Sequence, residues 1–197
     1  MQQIRYSADM ILVVGLGNIG TNYARNRHKV GWMALDAYAE KESVHFVTKS
    51  AFHADIVQLG DVLCVKPDMY MNESGKAVAK LVKQYPEALV AVVYDDIDIN
   101  LGEIKCSFAR GAGGHNGVQS VIDHLGHKDF LRIRIGVRPV HDELLPRIAP
   151  PDGFEKFLLS DFAPFESDLK KQGIDKAVAI IESLPGKTVE EVMNRWN

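Results

Sequence analysis

The chain has 197 residues, of which 46% are hydrophobic and 25% charged, the composition of a folded globular protein with a substantial core. Its 23 basic and 26 acidic residues give a net charge of −3, which excludes a globally basic nucleic-acid-binding protein but not a local basic face. No apolar stretch approaches the roughly 18 residues of a membrane span, and residues 1–10 lack the pattern of a signal peptide. We therefore expect one cytoplasmic domain, with Cys64 and Cys106 as buried free thiols.

Strand-like and helical segments alternate along the chain. The strand-like segments are 10–15, 52–59, 62–65, 89–94, 103–108 and 131–137, and the helical ones are 32–42, 72–85, 117–125, 164–184 and 188–195. Gly60-Asp61 separates two strands and predicts a hairpin, whereas helix-linked strands can be parallel. The pattern predicts a single α/β domain over 1–197, with a mixed, mostly parallel twisted sheet flanked by helices.

The ends of the chain and one loop complete this organisation. Residues 1–9 form an N-terminal extension, and the helices within 164–195 form the C-terminal part of the domain. Residues 139–153 contain four prolines. Their length and composition allow either a lid over a cleft or an ordered surface loop.

A glycine motif follows the first strand. Residues 15–20, GLGNIG, match the GxGxxG fingerprint of dinucleotide-binding proteins. That fingerprint requires a helix that begins inside it and an acidic residue at the end of a second strand. Residues 21–31 lack an apolar helical face, and Asp36 and Glu40 fall within a predicted helix. A tight turn is therefore favoured, and an NAD-type oxidoreductase remains as an alternative.

Polar residues cluster near the ends of the predicted strands: Asn18, His28, Asn72, Asp95 and His115-Asn116. Each has a purely structural interpretation as a helix cap or turn residue. Together they could form a hydrolytic site, in which a histidine held by a carboxylate takes a proton from water and amides stabilise an oxyanion. The sequence has no GxSxG motif, and neither cysteine has an adjacent histidine, so water is the expected nucleophile.

Five sequence blocks keep a common order and spacing between about residues 10 and 138. They are Gly15–Asn18, Tyr23 with Arg27-His28, Tyr70–Lys76, Asp95–Asp98 and Gly113–Gly117. Together they resemble the bacterial peptidyl-tRNA hydrolase family. The resemblance implies a monomeric α/β enzyme without a metal or organic cofactor, which cleaves the ester between a peptide and the 3′ ribose of its tRNA. A non-catalytic RNA-binding relative is the second alternative.

The resemblance also implies roles for individual residues. His28 resembles the general base that activates water, and Asp95 resembles the carboxylate that holds it in its basic form. Asn18 resembles the residue that separates blocked peptidyl ends from free aminoacyl ends. Two amides around the ester and the tRNA 3′ end, and two aromatic residues lining the cleft, complete the implied site: Asn72, Asn116, Tyr23 and Tyr70.

Four positions depart from the family pattern. Ile19, Lys29 and Tyr70 replace a usual Pro, Asn and Phe, which alters turn rigidity and cleft polarity without removing a catalytic group. Ser107 stands where a second basic residue often follows Lys105, so one phosphate contact is in doubt, and Arg110 is a candidate substitute.

The charge is unevenly distributed along the chain. Residues 1–140 hold 16 basic and 15 acidic side chains, whereas residues 141–197 hold 7 and 11. Basic residues outnumber acidic ones by 6 to 3 within residues 101–138. We therefore predict a local basic patch for tRNA phosphates, made by Lys105, Arg110, Lys128, Arg132, Arg134 and Arg138.

Overall fold

The computed structural model describes residues 10–139 and 153–197. Its strands are β1 (Ile11–Gly15), β2 (Val47–Lys49), β3 (Ala54–Leu59), β4 (Val62–Pro67), β5 (Leu89–Asn100), β6 (Ile104–Phe108) and β7 (Leu131–Arg138). Its α-helices are α1 (Val30–Lys41), α2 (Gly75–Gln84), α3 (Asn116–Leu125), α4 (Phe154–Leu158), α5 (Ser167–Ser183) and α6 (Val189–Trp196). The strands form a mixed seven-stranded sheet in the order β2-β3-β4-β1-β5-β7-β6.

The centre of the sheet is parallel and its edges are antiparallel. β1 runs parallel to β4 and β5, and β5 runs parallel to β7. β2, β3 and β4 pair antiparallel at one edge, as do β6 and β7 at the other. All five residues of β1 are buried, as expected for a central strand covered on both faces. The predicted α/β domain with a mixed sheet is confirmed.

Helices cover both faces of the sheet. Ile11 and Val13 belong to the core cluster with residues of α1, α5 and α6. Leu12 and Val14 point to the opposite face, where they belong to the cluster with residues of α2 and α3. This separation follows from the two-residue period of a strand, which sends successive side chains to opposite faces.

Strand β5 is longer than the apolar pattern predicted. The expected strand ends at residue 94, but β5 continues to Asn100 because β7 pairs with the polar residues that follow. Asp95 pairs with Ile135 and Asp96 with Gly136, so both aspartates lie within a strand instead of closing one. Periodicity also missed the exposed three-residue strand β2 and the short helix α4.

The glycine motif makes a close packing contact instead of a dinucleotide site. Two 3-10 turns, Thr21–Tyr23 and Arg27–Lys29, lie between the motif and α1, so no helix begins inside the motif. Gly31 in α1 lies against β5 and the end of β1: a Cβ atom there would lie 2.3 Å from the Val93 carbonyl oxygen. This contact fixes the start of α1, and His28 just before it, beside β5. The geometry that the NAD-type alternative requires is therefore not present.

Several expectations concern other parts of the chain. The extension at residues 1–9 and residues 140–152 of the proposed lid lie outside the described residues. Both cysteines are buried and free, and burial raises the pKa of each thiol to about 12. None of the helices in the described ranges has the length and apolar character that a membrane crossing needs.

Candidate active site

His28 and Asp95 form a hydrogen-bonded pair at the end of the parallel part of the sheet. Nδ1 of His28 lies 2.9 Å from Oδ1 and 3.0 Å from Oδ2 of Asp95. His28 sits in the 3-10 turn that precedes α1, whereas Asp95 projects from β5 two residues beyond Val93, the last partner of β1. The Asp95 side chain is 1% exposed and that of His28 is 12% exposed. The structure thus brings together the two residues expected to act as base and carboxylate.

His115 is a second histidine bound to the same carboxylate. Its Nε2 lies 3.2 Å from Oδ1 of Asp95, and its ring centroid lies 4.8 Å from that of His28. Nδ1 of His115 accepts hydrogen bonds from the amides of Gly117 and Val118, at 3.1 and 3.3 Å, as the N-cap of α3. Because Nδ1 accepts, the proton of the neutral ring must lie on Nε2, which donates to Asp95. The sequence analysis placed His115 among the polar residues near the strand ends, but no motif assigned it this contact with Asp95.

Burial and the neighbouring side chains determine the protonation states of Asp95 and His28. Burial acts to raise the pKa of Asp95, but attraction and hydrogen bonds from His115 and His28 hold it well below its usual range. Burial acts to lower the pKa of His28, but the Asp95 carboxylate, with a smaller effect from Glu155, raises it overall. Asp95 is therefore ionised and holds the His28 Nδ1 proton. Nε2 of His28 has no partner among the described residues and is free to accept a proton.

The same three residues carry side chains of the types that bind metal ions. Within residues 10–139 and 153–197, His28, Asp95 and His115 are the one group of His, Cys, Asp and Glu whose ligand atoms lie close enough, within 4.8 Å of one another. A metal at this point would have to displace the proton that His115 donates to Asp95, since the other ring nitrogen already accepts two amides. The donor set therefore fits a hydrogen-bonded triad better than a metal centre.

The three asparagines of interest lie on segments that a chain of contacts connects. Oδ1 of Asn18 accepts a hydrogen bond of 2.9 Å from the amide of Met71, next to the exposed Asn72. Met71 packs against Gly117 at the start of α3, where an added Cβ would lie 2.4 Å from the Met71 sulfur. Asn116 is exposed on the same first turn of α3, directly after His115. Contacts through Met71 therefore connect the segments that carry Asn18 and Asn72 to the first turn of α3, which carries Asn116.

The two tyrosines, Ile19 and Lys29 lie in segments that connect strands to helices, whereas Ser107 lies on β6. Tyr23 is partly exposed in the turn between β1 and α1, and Tyr70 is 55% exposed just before Met71. Lys29 places its ammonium group 4.3 Å from the Trp32 ring centroid, and burial lowers the pKa of Lys29. The Ser107 side-chain oxygen is buried without a hydrogen-bond partner among the described residues.

The basic residues separate into exposed and buried ones. Lys105, Arg110 and Lys128 are exposed. Arg134 is partly exposed and donates from Nε to Asp96 at 2.8 Å, and Arg138 is partly buried and donates to Asn100. Arg132 is 1% exposed, and its guanidinium group donates to the backbone carbonyls of Arg110 and Gly111. The expected phosphate contact from Arg132 is therefore corrected, because its side chain points into the protein.

A buried ion pair, which the sequence did not reveal, anchors the segment that carries His28. Nη2 of Arg27 lies 2.9 and 2.7 Å from the two carboxylate oxygens of Glu166, and Nη1 donates to the Asp161 carbonyl at 3.0 Å. Phe157 and Phe162 lie against the guanidinium group, with ring centroids at 4.4 and 4.8 Å. Residues 157–166 thus pack on the turn that contains the candidate base.

The fold and site define an α/β protein with a histidine–carboxylate pair suited to general-base hydrolysis. Comparisons with known proteins agree: a family model described as peptidyl-tRNA hydrolase matches residues 12–197. The chain is 38% identical over 195 residues to a peptidyl-tRNA hydrolase of Thermodesulfovibrio yellowstonii, covering 95% of this chain and 99% of the relative. It is 41% identical to one of Mycobacteroides abscessus, over 89% and 90% of the two chains.

Solved structures show the same relationship. A crystal structure of peptidyl-tRNA hydrolase from Acinetobacter baumannii matches with a TM-score of 0.82 and 30% identity, over 96% of this chain and 95% of that one. The chain belongs to the peptidyl-tRNA hydrolase family.

Proposed function

We propose that the protein hydrolyses the ester between the peptide C-terminus and the 3′ ribose of peptidyl-tRNA, using water activated by His28. The observation that carries the proposal is the pair of hydrogen bonds from Nδ1 of His28 to Asp95, which leaves Nε2 free. Membership of the peptidyl-tRNA hydrolase family supplies the substrate class. Asn18, Asn72 and Asn116 are exposed or partly exposed and supply neutral polar groups for an ester substrate.

The chemistry follows from the hydrogen bonds of His28. Nε2 accepts a proton from water as the water oxygen attacks the ester carbonyl carbon, and Asp95 stabilises the imidazolium ion that forms. Collapse of the tetrahedral intermediate breaks the bond to the ribose 3′ oxygen, which takes the proton back from Nε2. The products are a peptide carboxylate and a free tRNA 3′ hydroxyl. Neither a metal ion nor an organic cofactor enters this sequence, so EDTA is expected to leave the rate unchanged.

The asparagines serve two purposes in this proposal. An amide can donate to a developing oxyanion and also pair with a peptide backbone, since it offers both a donor and an acceptor. In this proposal Asn72 and Asn116 contact the ester and the tRNA 3′ end. Oδ1 of Asn18 accepts a hydrogen bond from the Met71 amide. The Nδ2 group of Asn18 can therefore donate to the N-blocked peptide. Tyr23 and Tyr70 complete the cleft.

The tRNA backbone is proposed to lie on the exposed basic residues near β6 and the start of α3. Lys105 and Arg110 are exposed there, and Arg134 is partly exposed. Contacts with phosphates make tRNA affinity fall as the salt concentration rises. Because only a few such contacts are proposed, the affinity should fall less steeply than for a globally basic protein. We further propose that the protein acts as a monomer in the cytoplasm, where its substrate is produced.

A substrate-pair assay tests the proposed function. The protein is incubated with N-acetyl-aminoacyl-tRNA and, separately, with the same tRNA carrying a free aminoacyl group, and ester cleavage is followed. Rapid cleavage of the blocked substrate and slow cleavage of the free one are expected. Cleavage of neither, with tRNA binding retained, would instead identify a non-catalytic RNA-binding relative and overturn the proposal.

A further inference from the structure

The glycine loop, defined as residues 110–114, carries His115 and Asn116 at its end but has little packing of its own. An added Cβ at Gly111, Gly113 or Gly114 would meet nothing within 4 Å. Gly113 and Gly114 have positive φ values of 60° and 83°, and Ala109 before the loop has a φ of 53°. Glycine-rich backbone of this kind has high conformational freedom unless other groups hold it.

The side chain of Arg132 binds the backbone of this loop. It lies on β7 and is 1% exposed, with its guanidinium carbon 4.7 Å from the centroid of the Phe130 ring. One terminal nitrogen donates to the Gly111 carbonyl and the other to the Arg110 carbonyl. Among the described residues, no carboxylate pairs with it. A buried cation is costly unless its donors find partners, and here the two loop carbonyls bind the terminal nitrogens, whereas Nε is buried without a hydrogen-bond partner among the described residues.

Tyr94 and the glycine loop both contact His115, which in turn binds the Asp95 carboxylate. The Tyr94 ring packs edge-on against His115, with centroids 4.9 Å apart, and Tyr94 directly precedes Asp95 on β5. The His115 amide donates to the carbonyl of Ala112 within the loop, at 3.1 Å. The loop backbone and the start of α3 therefore together position the His115 ring, so that its Nε2 reaches Asp95.

We propose that Arg132 is a positioning residue that clamps the glycine loop so that His115 holds Asp95 and Asn116 faces the ester. This inference rests on the proposed function. It differs from a role in tRNA binding, since a guanidinium group that is 1% exposed and bound to two carbonyls cannot also contact a phosphate. The forked geometry is specific to arginine, because a lysine ammonium cannot reach two carbonyls in the same way.

The test compares Arg132→Lys and Arg132→Met with Lys105→Met, which removes an exposed cation from the neighbouring strand β6. Parent activity on N-acetyl-aminoacyl-tRNA is measured first, so that failure of the proposed function is recognised separately. For each folded variant, kcat, KM, the pH profile of kcat and the salt dependence of tRNA binding are then determined.

The clamp predicts that both Arg132 variants lose about 10-fold or more in kcat with a displaced acid limb, since a small misplacement of catalytic groups is costly. Their salt slope should equal that of the parent, whereas Lys105→Met should reduce the slope by about 0.7–0.9, the value for one phosphate. A purely structural role of Arg132 would lower Tm but leave kcat and the pH profile of the folded enzyme unchanged.

Two results would overturn the inference. A salt slope reduced by about one phosphate in Arg132→Met would show that Arg132 contacts tRNA. A parental kcat and pH profile in Arg132→Lys would show that the clamp does not affect catalysis. Arg132→Lys keeps the charge and most of the volume, so it carries the test if Arg132→Met does not fold.

Discussion

His115 donates from Nε2 to Oδ1 of Asp95 at 3.2 Å, and the same carboxylate receives Nδ1 of His28 at 2.9 Å. Two histidines therefore share one buried acceptor, but only His28 has a free ring nitrogen, because Nδ1 of His115 caps α3. This asymmetry assigns the base to His28 and a supporting role to His115.

The role of His115 can be separated from its capping of α3 by His115→Asn. Asparagine retains an N-cap acceptor, so stability should change little, but its short side chain cannot reach Asp95. The Asp95 carboxylate then acts on His28 alone, and we expect the pKa of His28 to rise further and the acid limb of the kcat/KM profile to move to higher pH. An unchanged acid limb, with the fold intact, would show that His115 is only a helix cap.

Asp95→Asn should move the acid limb in the opposite direction. The Asp95 charge raises the pKa of His28, so its removal lowers that pKa, and the base becomes neutral at a lower pH. The rate on the plateau should nevertheless fall, on the order of 10²–10⁴-fold, because an amide can stabilise the wrong tautomer and cannot balance the imidazolium charge. The measurement is kcat from pH 5 to 9, and an unaltered profile and rate would contradict the pairing.

The buried pair Arg27–Glu166 is expected to matter for stability. The two residues are 5% and 3% exposed, so Glu166→Ala leaves a buried cation without its partner. We expect the free energy of unfolding in urea to fall by about 3–5 kcal/mol. Asp175→Ala, which breaks the exposed pair Lys171–Asp175 on α5, is the control and should cost less than about 0.5 kcal/mol. Equal losses in the two variants would contradict this account.

The contact between α1 and the sheet depends on the absence of a side chain at Gly31. A Cβ atom there would lie 2.3 Å from the Val93 oxygen and 2.6 Å from the Leu16 oxygen, both in the backbone. Gly31→Ala should therefore cost about 3 kcal/mol or more, measured by chemical unfolding. Gly111→Ala has open space around the new atom and is the steric control. A fully stable Gly31→Ala protein would show that α1 can shift without penalty.

The local pattern of apolar and polar residues predicts most of the strands and helices but not the full length of β5. The apolar run that ends at residue 94 predicts the strand, whereas pairing with β7 extends it past Asp95, Asp96 and Asp98 to Asn100. Such an extension depends on a partner strand more than 30 residues away, which periodicity cannot detect. The three-residue strand β2 is exposed at every position, so burial imposes no apolar alternation on its sequence.

The candidate site could likewise be predicted only in part from the sequence. The sequence motifs identified His28 and Asp95, and the structure places them in contact. Arg132 appeared in sequence as one more cation in a basic segment, since whether a strand residue faces solvent depends on what covers that face. Arg27 and Glu166 are separated by 139 positions and carried no signal that they would meet.

The most direct test of the account is the cleavage rate of His28→Ala on N-acetyl-aminoacyl-tRNA, with tRNA affinity measured on the same preparation. His28 is the proposed base, and its side chain hydrogen-bonds Asp95 and packs against the His115 ring. We expect the single-turnover rate to fall by about 10²–10⁴-fold or more, with the protein still folded and the Kd for tRNA close to that of the parent. Near-normal cleavage by the folded variant would contradict the central claim that His28 activates the attacking water.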